Sequence, residues 1–127
     1  MADKCPILKF KPGQIVCLDA PQSVLGQSET LHLFAETIDT TIVSDRCWVK
    51  PLAIARSSSK SFNLEFLHDL RDTAQLILPT HLFRYALDTE VLPLLSELFD
   101  PTKDSIRSAN AQKILYQFIT DLYRSIE

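Results

Sequence analysis

Residues 46–56 read Arg46-Cys47-Trp48-Val49-Lys50-Pro51-Leu52-Ala53-Ile54-Ala55-Arg56, and the reading of this stretch decides the fold. Its side chains suit a strand whose successive residues point to opposite faces. Pro51 cannot donate to a ladder, so the strand has an edge position or a break there. Towards the N-terminus, Leu31, Leu33 and Ala35 alternate with His32, Phe34 and Glu36, the period of two of a second strand. Ile38 to Asp45 joins the two as a hairpin. Further back, Lys11-Pro12-Gly13 is a turn that opens a β-branched strand over Gln14–Asp19. Polar loops follow at Ala20–Ser23 and Gly26–Ser28. Towards the C-terminus, Ser57–Ser61 is a polar loop; Phe62, Leu64 and Phe66 then alternate as a fourth strand, and Leu76–Leu78 suggests a brief fifth.

From Pro79 the spacing of apolar residues becomes helical. Thr80 caps a short helix through Leu82, Phe83, Tyr85 and Ala86. Asp88 or Thr89 caps a second, with Leu92, Leu95, Leu98 and Phe99 on one face. Pro93 is safest in a first turn and so places that start near Thr89, and Asp100-Pro101 ends the helix. In the last helix Ile114, Leu115, Phe118, Ile119, Leu122, Tyr123 and Ile126 form a broad apolar stripe. The expected architecture is α+β in one domain, 1–127. A small antiparallel β-sheet or SH3-like, partly open barrel over 13–78 packs against two to three helices over 79–127.

The 127 residues suffice for one core, and 46% apolar with 23% charged residues is the balance of a folded globular chain. Two glycines leave little room for a nucleotide-binding glycine loop. The net charge is −3, with seven basic and six acidic residues up to Lys60 and six basic and ten acidic residues after it. Neither half has the excess of Lys and Arg that displaces counterions from phosphates, although Lys4, Lys9, Lys11, Lys50, Arg56 and Lys60 leave a local basic patch open, so nucleic acid is not the expected partner. Cys5, Cys17 and Cys47 fit neither a disulfide framework nor a zinc site. No apolar run approaches the roughly 20 residues that span a bilayer, and no apolar signal core opens the chain. A reducing, cytoplasmic setting is expected.

Chemistry-bearing residues are sparse. Cys47 would need a base to act as a nucleophile, and His32 is the candidate across the hairpin; a buried structural thiol is the simpler reading. His32, His68 and His81 with Asp69 or Asp72 lack metal-ligand spacing, so neither metal nor cofactor is expected. Asp69, Arg71 and Asp72 read as a capped turn with a local ion pair. Arginine and the large aromatics dominate binding hot spots, which singles out Phe34, Trp48, Phe83, Arg84, Tyr85, Tyr116 and Tyr123 as partner-binding candidates. A groove between sheet and helices is the expected place for a partner peptide.

Several stretches in order carry a resemblance: Gly13–Val16, Phe34–Ile38, Arg46–Ala53, Asp69–Arg71, Leu78-Pro79, Leu82–Arg84, Ala86–Glu90 and Pro93–Leu95. Over roughly residues 13–123 they resemble a family of small, poorly characterised cyanobacterial cytosolic proteins. The resemblance brings no catalytic residues with it. It implies a photosynthetic host and a factor that assembles large complexes, one such role being a carboxysome shell assembly chaperone that binds a flexible tail of a shell protein. Gly13–Val16 also looks like the opening of SH3-like barrels in adaptor and RNA-associated proteins. The expected function is a non-enzymatic adaptor or assembly chaperone that binds a tail or surface of a shell or photosynthetic complex subunit. The alternatives are a small-barrel RNA-binding protein and a cysteine-dependent enzyme.

Overall fold

The computed structural model describes residues 10–24, 27–41, 45–58, 61–100 and 110–126. Strands β1 (Ile15–Val24), β2 (Gln27–Thr41), β3 (Arg46–Ser58), β4 (Ser61–Asp69), β5 (Leu76–Pro79) and β6 (Arg84–Tyr85) precede helices α1 (Asp88–Leu98) and α2 (Ala111–Ile126). All six strands are antiparallel to their neighbours, in the order β4-β3-β2-β1-β6 with β5 also on β3. The fold is α+β, as the change of period at Pro79 suggests. Among the described residues the sheet stays open, with β4 and β6 at its two ends, and two helices accompany it.

Alternation along β1 and β2 puts one helix on each face. Val16, Leu18, Ala20, Leu33 and Ala35 share a cluster with Ala111, Leu115, Phe118 and Leu122 of α2. Cys17, Phe34, Ala53 and Ala55 share the opposite cluster with Leu94 and Leu98 of α1. Both faces being covered, apolar side chains occupy consecutive strand positions, as they do in any sheet buried on two sides.

Pro51 lies inside β3, buried, and not on an edge strand. It is tolerated because the ladder to β5 ends at Val49 and the ladder to β4 begins at Ala53. Pro51 therefore falls in the gap between two partners on that side. Opposite β2, the pairing shifts between Phe34 and Ala35, so Leu52 is the extra residue of a bulge. The bulge changes parity: Cys47 and Val49 face α2, and beyond it Ile54 does so while Ala53 and Ala55 turn to α1. The break expected at Pro51 is thus present and re-aims half of the strand.

The short helix expected from Thr80 to Ala86 is absent. Thr80–Leu82 makes a single 3-10 turn, Phe83 is extended, and Arg84–Tyr85 pairs with Val16 and Cys17. The Ala86 N–H adds a bond of 3.0 Å to the Ile15 carbonyl. Pairing with β1 outweighs local helical spacing, because a segment this short gains little from helix formation alone. Helix α1 starts at Asp88, with Leu87 extended and its N–H donating to the Glu90 carboxylate at 2.8 Å. Pro93 accordingly sits in the helix interior, where it removes one backbone hydrogen bond. Most of the connection between β2 and β3 lies outside the described residues.

Candidate functional site

Asp19 of β1 and His32 of β2 are cross-strand partners on the face that α1 covers, and His32 pairs in turn with Ala55 of β3. Ser57 lies two residues beyond Ala55 and so projects from the same face. Three polar side chains on three adjacent strands therefore form one row. His32 Nδ1 lies 2.7 Å from Asp19 Oδ1, and His32 Nε2 lies 2.7 Å from Ser57 Oγ. On the far side of Asp19, Arg84 donates from Nε to Oδ2 at 2.6 Å. The same guanidinium reaches Glu90 of α1 with two bonds of 2.9 Å. Glu90–Arg84–Asp19–His32–Ser57 is thus a continuous polar chain that ties α1 to four strands.

The charge states follow from these partners. Burial alone would raise the Asp19 carboxyl, but hydrogen bonds from His32 and Arg84 outweigh it and hold the group well below the usual carboxylate range. Glu90 is lowered in the same way: burial opposes, while Arg84 and the Leu87 N–H prevail. Two carboxylates, Glu90 first and then Asp19, push the Arg84 guanidinium upward. An ionised Asp19 can only accept a hydrogen bond, so the Nδ1 of a neutral His32 carries the proton. Nε2 is then the acceptor, and the Ser57 hydroxyl donates to it.

Cys17 is buried beside this chain, its Sγ 3.2 Å from Asp19 Oδ1 and 3.9 Å from His32 Nδ1. Cys17, Asp19 and His32 are the donor types that hold a transition metal, with ligand atoms within 4.8 Å of one another. Their state does not suit an ion. Desolvation and then the Asp19 charge push the Cys17 thiol upward, and the Arg84 cation already occupies the carboxylate. Burial likewise raises Cys47. In the native state Cys17 and Cys47 should therefore resist iodoacetamide at neutral pH for as long as the fold persists. Mass spectrometry of the intact protein and its peptides checks this, and rapid modification of either thiol would contradict it.

Beneath α1 the row of polar groups opens into a cleft of about 650 Å³. Leu64 and Phe66 of β4 and Leu87 and Pro93 at α1 supply apolar wall; His32 and Ser57 line the same space. Among the described residues the charged groups on its wall are the carboxylates of Glu90, which Arg84 holds, and Glu97.

The residues singled out from sequence are not gathered at one place. Phe34 and Phe83 are buried in the two opposite clusters, so both build the core and neither offers a surface to a partner. Trp48 is 42% exposed and donates to Gln75 Oε1 at 3.0 Å. Tyr85 is also exposed, its ring edge-on to Phe10 at 4.8 Å, whereas Arg84 belongs to the polar chain. Tyr116 and Tyr123 are exposed on α2, across the sheet from the cleft. Cys47 faces α2 and His32 faces α1, so the proposed Cys47–His32 pairing fails; the thiol near His32 is that of Cys17. His68 pairs with Ile54 on the α2 face and His81 is exposed in the 3-10 turn, so the histidines do not converge. Asp69 and Arg71 form a local ion pair at 2.7 Å, as the turn reading supposed.

Sequence reasoning passed over Asp19, Ser57 and Glu90. The available signal was parity, because Asp19 and His32 are polar residues inside apolar strands and share one face. Ser57 reads as loop in the sequence because it follows the last apolar residue of β3.

Comparison of the chain with protein-family models, curated proteins and solved structures finds no match in any of the three.

Proposed function

We propose that this chain is a protein-binding adaptor or assembly factor that docks an extended segment of another protein along α1 and the cleft beneath it. The observation that carries this reading is a second apolar side on α1. Leu94 and Leu98 face the sheet, yet Leu92 and Leu95, with Phe99 just past the helix end and beside Arg71, are exposed, Leu92 by 68% and Phe99 by 70%. Burying one face suffices to hold a helix on a sheet, and a contiguous exposed apolar stripe is characteristic of an interaction surface. Beside it, the outer edge of β4 pairs with no other described strand, which suits a partner that adds as a strand.

Complementarity narrows the partner. The apolar walls of Leu64, Phe66, Leu87 and Pro93 favour a flexible segment with apolar residues, and a net charge of −3 disfavours a nucleic-acid backbone. The sequence resemblance supplies the setting for the proposal, a tail from a shell or photosynthetic complex subunit in a cyanobacterial cytosol. No helix among the described residues is long and apolar enough to cross a membrane.

A Leu92→Asp, Phe99→Ser double variant tests the reading. Wild-type protein on a resin should retain one protein in near-stoichiometric amount from source-cell lysate at high salt. The double variant should retain at least about tenfold less, since truncated hot-spot residues dominate such affinities. Its thermal midpoint should stay within a few degrees of wild type, because both side chains are exposed. Equal retention by the variant, or an empty wild-type eluate, would remove the proposal.

A further inference from the structure

We propose that Ser57, His32 and Asp19 form an acyl-transfer site that hydrolyses uncharged esters of short apolar acids in the cleft beneath α1. The inference goes beyond docking and rests on the polar row, not on the outer stripe of α1. It also departs from the expectation, drawn from sequence spacing, of a chain without catalytic groups.

Three geometric requirements meet here. A hydroxyl nucleophile needs a base within hydrogen-bond reach, and Ser57 Oγ lies 2.7 Å from His32 Nε2. The base needs an orienting group, and Asp19 Oδ1 lies 2.7 Å from His32 Nδ1. The ionised Asp19 places the imidazole proton on Nδ1 and leaves the Nε2 lone pair towards the serine. The third requirement is room for a substrate beside the nucleophile, and both Ser57 and His32 line the cleft. A nucleophile–base pair enclosed in packed core would have none.

The surroundings set the substrate class. Leu64, Phe66 and Pro93 offer apolar surface for an acyl chain. The amino end of α1 borders the cleft through Leu87, Thr89 and Glu90. The Glu90 and Val91 N–H groups bond the Leu87 carbonyl, so the donors for a developing oxyanion are those of Asp88 and Thr89, at the end of the helix that favours negative charge. Glu90 does not cancel that effect, because Arg84 holds its carboxylate with two bonds. An anionic ester would have to give up hydration against the apolar side chains of Leu64, Phe66 and Pro93, which disfavours it.

In the reaction Ser57 Oγ bonds to the acyl carbon while His32 Nε2 takes the hydroxyl proton. The bond from acyl carbon to the alcohol oxygen breaks, and His32 returns the proton to that oxygen as the alcohol leaves. Water then attacks the acyl-serine with His32 again as base, the bond from carbon to Oγ breaks, and Ser57 regains its proton as the acid departs. Ser57 and His32 are the catalytic residues; Asp19 is a positioning residue.

The test uses the full chain with p-nitrophenyl butyrate as substrate and a fluorophosphonate as covalent probe. The expected result is one adduct per chain, mapped to Ser57, and ester hydrolysis that the probe abolishes. Ser57→Ala should lose both while keeping its fold, as circular dichroism would report. Asp19→Asn should lower kcat by at least about 100-fold with KM unchanged, the scale of general-base assistance. The p-nitrophenyl hemisuccinate should react at least about tenfold more slowly than the butyrate, because its carboxylate would have to be desolvated against the apolar wall. Hydrolysis that survives in Ser57→Ala, an adduct elsewhere, or no adduct on Ser57 would overturn the site. Equal rates for the two esters would overturn the substrate class. A chain that binds its partner but ignores the probe fails only here, so the docking proposal is judged separately.

Discussion

Replacing Phe34 by alanine should lower stability by about 3–5 kcal/mol, the cost of emptying a buried aromatic site in a well-packed core. For a chain of this size that corresponds to a fall in thermal midpoint of about 10–20 °C. Phe34 is fully buried on the α1 face, pairs with Cys17 and Ala53 across the strands, and shares its cluster with Leu94 and Leu98. Its flanking sheet neighbours Ala53 and Ala55 are small and cannot expand into the void. The cavity should therefore persist, and a persisting cavity is the costly case. Urea unfolding followed by tryptophan fluorescence and circular dichroism measures the loss. A cost below about 1 kcal/mol would mean that the α1 face is not packed as described. The same experiment separates core from interface, because a surface contact residue would affect partner binding and leave stability nearly unchanged.

Arg84→Met should be the next most damaging change. It keeps the aliphatic stem but strands two carboxylates, Asp19 and Glu90, that the guanidinium holds at 2.6 and 2.9 Å. Removing one partner of a buried ion pair costs about 3–5 kcal/mol. Arg84 and Asp19 are each about one-third exposed, and solvent screening trims the expected loss to about 2–3 kcal/mol near neutral pH. That is a drop of about 10 °C in thermal midpoint. The variant also has a pH signature. Both carboxyls are held below their ordinary values, so their contribution is complete above the unfolded pKa values near ~4 and fades as pH falls through the folded ones. Wild type should lose stability steadily below about pH 4, and Arg84→Met should lose much less over that range. Parallel pH profiles for the two proteins would show that the chain of ion pairs does not hold α1 to the sheet.

The two outcomes bear on one question, because Phe34 and Arg84 both seat α1. Phe34 does so by volume and Arg84 by bridging the helix to β1. A helix seated by two independent means can present an apolar outer side without collapsing onto the sheet, and the docking reading requires that stiffness.

Local chemistry made much of this architecture legible in the residues themselves. Period-two alternation marks the middle strands, β-branched residues mark the start of β1, a short apolar run marks β5, and the apolar stripe from Ile114 to Leu122 marks α2. A break at Pro51 was readable because proline lacks an N–H. The segment after Thr80 was not readable, since Arg84 and Tyr85 become a strand only through their pairing with Val16 and Cys17, sixty-odd positions earlier. Nor could sequence place Phe34 and Phe83, because any apolar aromatic fits either a core or an interface until both faces of the sheet are covered. The polar row is the clearest case of the division. Asp19, His32 and Ser57 lie far apart in sequence and carry no motif, and only strand register sets them side by side. By itself the sequence determined an α+β chain with two patterned halves; tertiary structure decided which helix covers which face, what α1 leaves exposed, and which polar atoms meet. Periodicity is a property of neighbours along the chain, whereas a site is made by contacts between residues that the chain keeps apart.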